Sequence, residues 1–353
     1  MSSARGTRRL RLAGASRLAA LAMGAGLALA TAPDCARACA CGCGVFDIGA
    51  NSAFPNNADS GLSVYFRYNY LNQDRNWEGS SGAPAADNKD KNIRTGFFTL
   101  GGQYMINHDW GVMVEVPVFK RSFTSTGDGT AYPDGQLFTS QVTDLGDAMV
   151  QGVYTGFSPD MSTGVSFGVK LPTGNYTGPG LPPGQSADGN FALIYDRDTL
   201  PGSGSTDLLL GAYHVGDISD DGSLAYFTQA RYEVAVMERA GATGTYRPGN
   251  EFDAGVGITY NLGAHAIFDK LAPVLQFIAS DRSADGGTGS SFNSGYRRLM
   301  IAPGVDMRLG RVKLFADVSI PLAQHVNVDL ASSGNVGQLT ANAIWRVQLG
   351  YDL

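Results

Sequence analysis

Residues Ala343–Leu353 read AIWRVQLGYDL, and their alternation decides the fold. Ala343, Trp345, Val347, Leu349, Tyr351 and Leu353 fall on one parity, and Ile344, Arg346, Gln348, Gly350 and Asp352 on the other. Successive side chains of a strand point to opposite faces, so the segment is an apolar ribbon backed by a mostly polar one.

The same beat recurs upstream. Leu62, Val64, Phe66, Tyr68 and Tyr70 oppose Ser63, Tyr65, Arg67 and Asn69, and Val112, Val114, Val116 and Val118 oppose Met113, Glu115, Pro117 and Phe119. Phe98, Leu100, Gly102, Tyr104 and Ile106 form a third ribbon. Further alternating stretches run at 142–156, 161–171, 206–216, 223–237, 251–261, 271–280, 295–308, 311–320 and 341–353, twelve strands in all. The two faces differ least at 142–156 and 206–216, so ten or fourteen strands fit as alternatives. Connections alternate in length. The long ones are 74–92, 122–141, 172–205, 238–250, 281–294 and 321–340; the short ones include Asn107–Asp109 and Leu309-Gly310. These features predict an all-β chain: a transmembrane antiparallel up-and-down β-barrel of about twelve strands, with short periplasmic turns and long extracellular loops.

A terminal strand closing on Tyr351 and Leu353 resembles the last strand of bacterial outer-membrane barrels, which the barrel-assembly machinery reads; those usually end in Phe. The front of the chain agrees. Arg5, Arg8, Arg9, Arg11 and Arg17 precede a small, apolar run from Leu18 to Ala32, as in a secretory signal. Ala36-Arg37-Ala38 is a small-x-small site that would leave Cys39 first, whereas cleavage after Ala32 would place Pro33 there. The expected division is a signal peptide at 1–38, a cysteine-containing periplasmic segment at 39–61 and a barrel at 62–353, with both termini periplasmic. The net charge is −6, and removing residues 1–38 makes it −11, which argues against nucleic acid as a partner.

Aromatic residues sort by depth. Tyr104, Tyr154, Tyr260, Tyr351 and Trp110 fall near one rim, and Tyr68, Tyr70, Phe98 and Tyr232 near the other, as rings with a polar edge prefer the headgroup level. Charge collects on the inward parity: Arg67, Glu115, Asp147, Lys170, Arg231, Glu233, Asp253, Arg298, Asp306, Lys313, Asp317 and Arg346. A Lys or Arg facing lipid at mid-membrane costs about 2–4 kcal/mol, so this confinement follows from the solvent. Lining the lumen, these groups either pair with one another or form a charged eyelet that selects solutes.

Asp144-Leu145-Gly146-Asp147 and the run GVSFGVKLPTGNY at Gly164–Tyr176 form a more particular pattern. A "GD" strand start followed by "G-V-K-L-P-T-G-x-Y" resembles the meta-pathway phenol-degradation-like (MetA-type) family of outer-membrane barrels. The resemblance covers about 30 residues. It implies uptake of aromatic or other small compounds. The residues also read as a strand terminator, because Pro172 lacks a backbone donor and Gly174 permits the turn.

Cys35, Cys39, Cys41 and Cys43 are the four cysteines of the chain. The C-x-C-x-C spacing of Cys39, Cys41 and Cys43 suits one soft ion, Cu or Zn. A local disulfide or lipidation at Cys39 are the other readings. His108, His214, His265 and His325 are scattered, and no G-x-S-x-G, H-E-x-x-H or P-loop occurs, so catalysis is not expected. The expected function is passage of small, hydrophobic or aromatic solutes through an outer-membrane lumen gated by the 172–205 loop. The alternative is a non-conducting barrel that docks a periplasmic partner through its cysteine segment.

Overall fold

The computed structural model describes residues 61–126, 135–176, 200–241, 244–287, 294–328 and 336–353. The segments expected to be signal peptide and cysteine-containing tail, up to residue 60, lie outside these, and so do Cys39, Cys41 and Cys43.

Twelve antiparallel strands form one closed sheet. They are β1 Gly61–Glu78, β2 Asp90–Met105, β3 Trp110–Thr126, an interrupted β4 (Leu137–Leu145 and Ala148–Tyr154), β5 Thr163–Leu171 and β6 Asp207–Asp217. The rest are β7 Leu224–Ala235, β8 Glu251–Tyr260, β9 Lys270–Arg282, β10 Tyr296–Leu309, β11 Val312–Val326 and β12 Gln338–Asp352. Each strand pairs with its chain neighbours, and β12 returns to β1 with Trp345 opposite Tyr70 and Tyr351 opposite Val64. Closure leaves no unpaired edge. The final residue takes part, since Leu353 N donates to Leu62 O at 2.9 Å. Among the described residues no helix is long and apolar enough to cross a membrane, and this barrel crosses with strands.

The outer face is apolar around the whole circumference. Leu100, Val112, Val150, Leu210, Val256, Phe277, Leu299 and Leu349 are all exposed there. A protein in water would bury such a band, whereas hydrocarbon solvates it. At the short-turn end the Trp110 and Tyr154 rings pack at a tilt with centroids 4.8 Å apart, and Tyr104, Tyr260 and Tyr351 are exposed at the same rim. At the long-loop end the Tyr68 and Phe98 rings stack at 4.8 Å. The tightest turn joins Leu309 to its partner Val312 through Gly310 and Arg311, and Gly310 takes a φ of 56°, which suits glycine.

The strands differ from the alternation in two ways. Several strands outrun their apolar stretch: β1 continues to Glu78, β3 to Thr126 and β11 to Val326. Backbone pairing persists there because the ladder needs no apolar face once the strands leave the hydrocarbon. The stretch at 142–156 is not one strand. Leu145 pairs with Val118 and Met149 with Glu115, so one extra residue is accommodated at Gly146-Asp147, a β-bulge. A Cβ at Gly146 would lie 2.9 Å from the Phe119 ring, which explains the residue type.

Candidate functional site

The inner face is built from the parity opposite the lipid band, and it has three zones. Across the middle, Arg67 on β1 reaches Glu115 on β3 at 2.9 Å, over the intervening strand β2. Both are buried, at 0% and 2% exposure. The reach is possible because β2 presents Gly101: a Cβ there would sit 2.1 Å from Cζ of Tyr65. The Tyr65 ring fills the glycine's place, and its hydroxyl donates to Glu115. A second unit repeats the design. Arg346 on β12 forks onto Asp317 on β11 at 3.0 and 2.9 Å, and Gln276 on β9 donates to the same carboxylate at 2.7 Å past Gly304 on β10. Such pairs withstand burial when each oxygen is hydrogen-bonded.

Toward the long loops the interior has two unlike walls. On strands β9–β12 and β1–β2, Ile278, Met300, Val326, Ile344, Leu71 and Phe97 form one buried apolar cluster, with Phe119 of β3 packed against it. The opposite wall is ionic over β5–β8, and its network reaches onto the loop-side ends of β9 and β10 through Arg282 and Arg298. Lys170 pairs with Asp207 at 2.5 Å and with Glu233, while Arg231 holds the other Glu233 oxygen at 2.7 Å. Glu251 accepts from the Tyr296 hydroxyl at 3.0 Å, and Arg282 lies 4.0 Å from it. Asp253 is buried in the same wall, and Arg298 lies 3.9 Å from the Tyr296 ring centroid. Among the described residues neither polar atom of the buried Gln229 amide has a hydrogen-bond partner.

The third zone is the mouth at the short-turn end. Lys270 pairs with Asp306 at 2.7 Å, and Asp352 accepts from Ser63 at 2.7 Å and pairs with Lys313 at 2.9 Å. These groups are half-buried or more open, so this end is wetter than the middle.

Asp147 does something else. Its Oδ1 accepts from Gly174 N at 2.9 Å, and its Oδ2 from Ser203 N at 2.8 Å and Ser203 Oγ at 2.6 Å. The carboxylate therefore joins both feet of the connection between β5 and β6. Thr173 completes the clamp: its Oγ1 accepts from Ala148 N at 2.8 Å and donates to Gly146 O at 3.1 Å. Gly174 and Gly202 touch, and a Cβ on Gly202 would lie 2.4 Å from the Gly174 backbone. The "GD" and "LPTG" pattern is thus a bulge locked to a loop base. Beyond it Leu200 is buried, and its carbonyl accepts from Arg121 of β3 at 3.2 Å.

Sequence reading missed Tyr65, Arg121, Asp207, Glu251, Arg282 and Asp352. Parity was a signal for all six: Tyr65 shares the face of Arg67, Arg121 that of Glu115, Asp207 that of Leu209, Glu251 that of Asp253, Arg282 that of Ser280, and Asp352 that of Arg346. His214 is on the outer parity at the short-turn rim, where it bonds to Thr163 Oγ1 at 2.8 Å and the Tyr226 hydroxyl at 2.9 Å. No group of three or more His, Cys, Asp or Glu suited to a metal ion occurs among the described residues.

No family model matches the chain, and no curated protein does. Solved structures do. The COG4313 outer membrane channel from Pseudomonas putida F1 is similar with a TM-score of 0.61 at 10% identity, covering 87% of this chain and 100% of that one. The beta domain of the Bordetella autotransporter BrkA gives 0.47 at 9% identity, over 83% of this chain and 100% of that one. A Pseudomonas aeruginosa FadL homologue gives 0.42 at 11%, over 83% and 90%. At these identities the likeness is one of fold.

Proposed function

We propose that this chain is a narrow channel of the Gram-negative outer membrane that passes small molecules with an apolar or aromatic body. Its short turns and both termini face the periplasm. The observation that carries the reading is an apolar cluster on β9–β12 and β1–β2 opposite an ionic network centred on β5–β8. A wide aqueous porin has a polar lumen throughout. An apolar cluster facing a charged wall offers instead a path for a solute that is greasy on one side and polar on the other. The similar channel from Pseudomonas putida F1 supports the general role, and the likeness at 144–176 to the phenol-degradation-like barrels supports aromatic cargo. In this reading the twelve inward charges line the path, and most act as structural pairs rather than as a selective ring.

Planar-bilayer recording and vesicle uptake test it. Discrete conductance steps, with uptake of a phenol or benzoate faster than that of a sugar of equal mass, are expected. A folded barrel that is silent in bilayers and takes up neither solute sinks the channel reading. For Cys39, Cys41 and Cys43, a soft-metal site that docks a periplasmic metal carrier rests on spacing alone. Equal metal content in the mature protein and its Cys41→Ser, Cys43→Ser variant removes it.

A further inference from the structure

Among the described residues the outward face of the twelve strands carries few charges: Asp74, Arg94, Lys120, Asp281 and Arg297, with Arg75 exposed beside Asp74 at a register shift of β1. Arg297 and Asp281 neutralise each other at 3.0 Å. Arg94 on β2 and Lys120 on β3 are both exposed, and neither makes an ion pair or hydrogen bond among the described residues. Asp74 is held by the Asn72 amide at 2.9 Å instead.

The two cations are neighbours. Lys120 is the register partner of Gly96, and Arg94 that of Ser122, so they sit on adjacent strands one outward step apart. That diagonal separates their backbones by about 7–8 Å, within reach of a single phosphate for side chains of this length. Their depth is set by what lies below. Phe66, Phe98 and Tyr68 form the aromatic level, and Tyr68 lies over Gly96 with its hydroxyl 3.4 Å from where a Cβ would be. The phenol therefore ends at the level of Lys120. Above it the outward face turns polar, with Asn72, Ser122, and Thr124 bonded to Thr139 at 2.9 Å. Apolar, aromatic, cationic and then hydroxyl-bearing levels follow one another over β1–β3, as in the passage from hydrocarbon through headgroup to sugar.

We propose that Arg94 and Lys120, with the Tyr68 hydroxyl, form a binding site on the outer wall for a phosphate of the lipopolysaccharide anchor, lipid A. The site rests on the orientation proposed above, because the long-loop end must face the outer leaflet. Two unpaired cations on a chain of net charge −6 have their complement in that leaflet's phosphates.

The test uses the full mature barrel in phosphatidylcholine vesicles, with bis-phosphorylated lipid A as the probe. Arg94→Gln, Lys120→Gln together should weaken binding roughly 30-fold, the effect of two headgroup-level charges, while Arg297→Gln stays within twofold of the parent. Binding of the double variant within threefold of the parent overturns the site. So does equal affinity for dephosphorylated lipid A, or for phosphatidylglycerol. Conductance separates this inference from the channel reading, since both side chains face away from the lumen. A barrel that binds lipid A but never conducts removes the channel and leaves the site. Failure to insert into the vesicles removes the membrane reading on which both depend.

Discussion

Replacing Arg346 by Met isolates the energetics of the interior. The Asp317 carboxylate is buried and takes three hydrogen bonds, two from the Arg346 fork at 3.0 and 2.9 Å and one from Gln276 at 2.7 Å. Arg346→Met leaves that carboxylate with a single amide donor and no counter-charge. Breaking one side of a buried pair costs about 3–5 kcal/mol, because the surviving charge has lost its water as well as its partner. Asp317→Leu combined with Arg346→Met removes both charges at similar volume, and most of the loss should return. What persists is the unpaired Gln276 amide, about 1 kcal/mol. Arg346→Lys keeps the charge but not the fork, and should fall between. Urea titration of the barrel in phosphatidylcholine vesicles, followed by tryptophan fluorescence, reads all three. A loss below about 1 kcal/mol for Arg346→Met, or a double variant no more stable than the single one, refutes the assignment of the cost to an uncompensated buried charge.

Three further outcomes follow from other parts of the barrel. Gly101→Val should displace the Tyr65 ring and break its bond to Glu115, costing about 1–3 kcal/mol by overpacking; a neutral result in the same titration would mean that β2 yields easily at this point. Asp147→Ala removes the acceptor shared by Gly174 and Ser203, at about 3 kcal/mol, and should speed hydrogen exchange of those two amides; unchanged exchange would show that the loop feet are held by other contacts. In the turn between β6 and β7, the Ser219 hydroxyl and the Ser223 backbone and hydroxyl donate to Asp221 and hold its carboxyl at about 2, against an ordinary 3.8. The folded value is the lower one, so this turn's stabilisation is full above about pH 4 and is lost as pH falls through about 2. Carboxyl-detected NMR should show Ser219→Ala, Ser223→Ala returning Asp221 toward 3.8, and no movement in that variant would refute the cause.

Alternation alone determined the class of fold, which parity faces lipid and the side on which long connections gather; it put the strand number at about twelve, and the pairing of the closed sheet fixed it. The physical reason is local: a strand exposed to hydrocarbon on one face and to a lumen on the other must alternate at every second residue, and no distant contact can change that. Hence AIWRVQLGYDL at Ala343–Leu353 could be oriented before its partner was known. Strand ends were less legible, since the pairing of β3 to Thr126 and β11 to Val326 continues where the apolar signal has stopped.

Only the tertiary structure decided which charges meet. Parity put Arg67 and Glu115 on one face, but their contact depends on Gly101 in the strand between them, and on register. Register likewise gave Asp317 to Arg346 and Gln276, and gave Lys170 to Asp207 and Glu233. The division of the interior into an apolar wall and an ionic wall is a property of the closed sheet, because β1 and β12 are neighbours in space and the two ends of the barrel's sequence. The same is true of Asp147. In sequence it is one of twelve inward charges, and in the fold it is the bolt of a loop, because a one-residue bulge turns its carboxylate toward two strand ends that lie 29 residues apart, at Gly174 and Ser203.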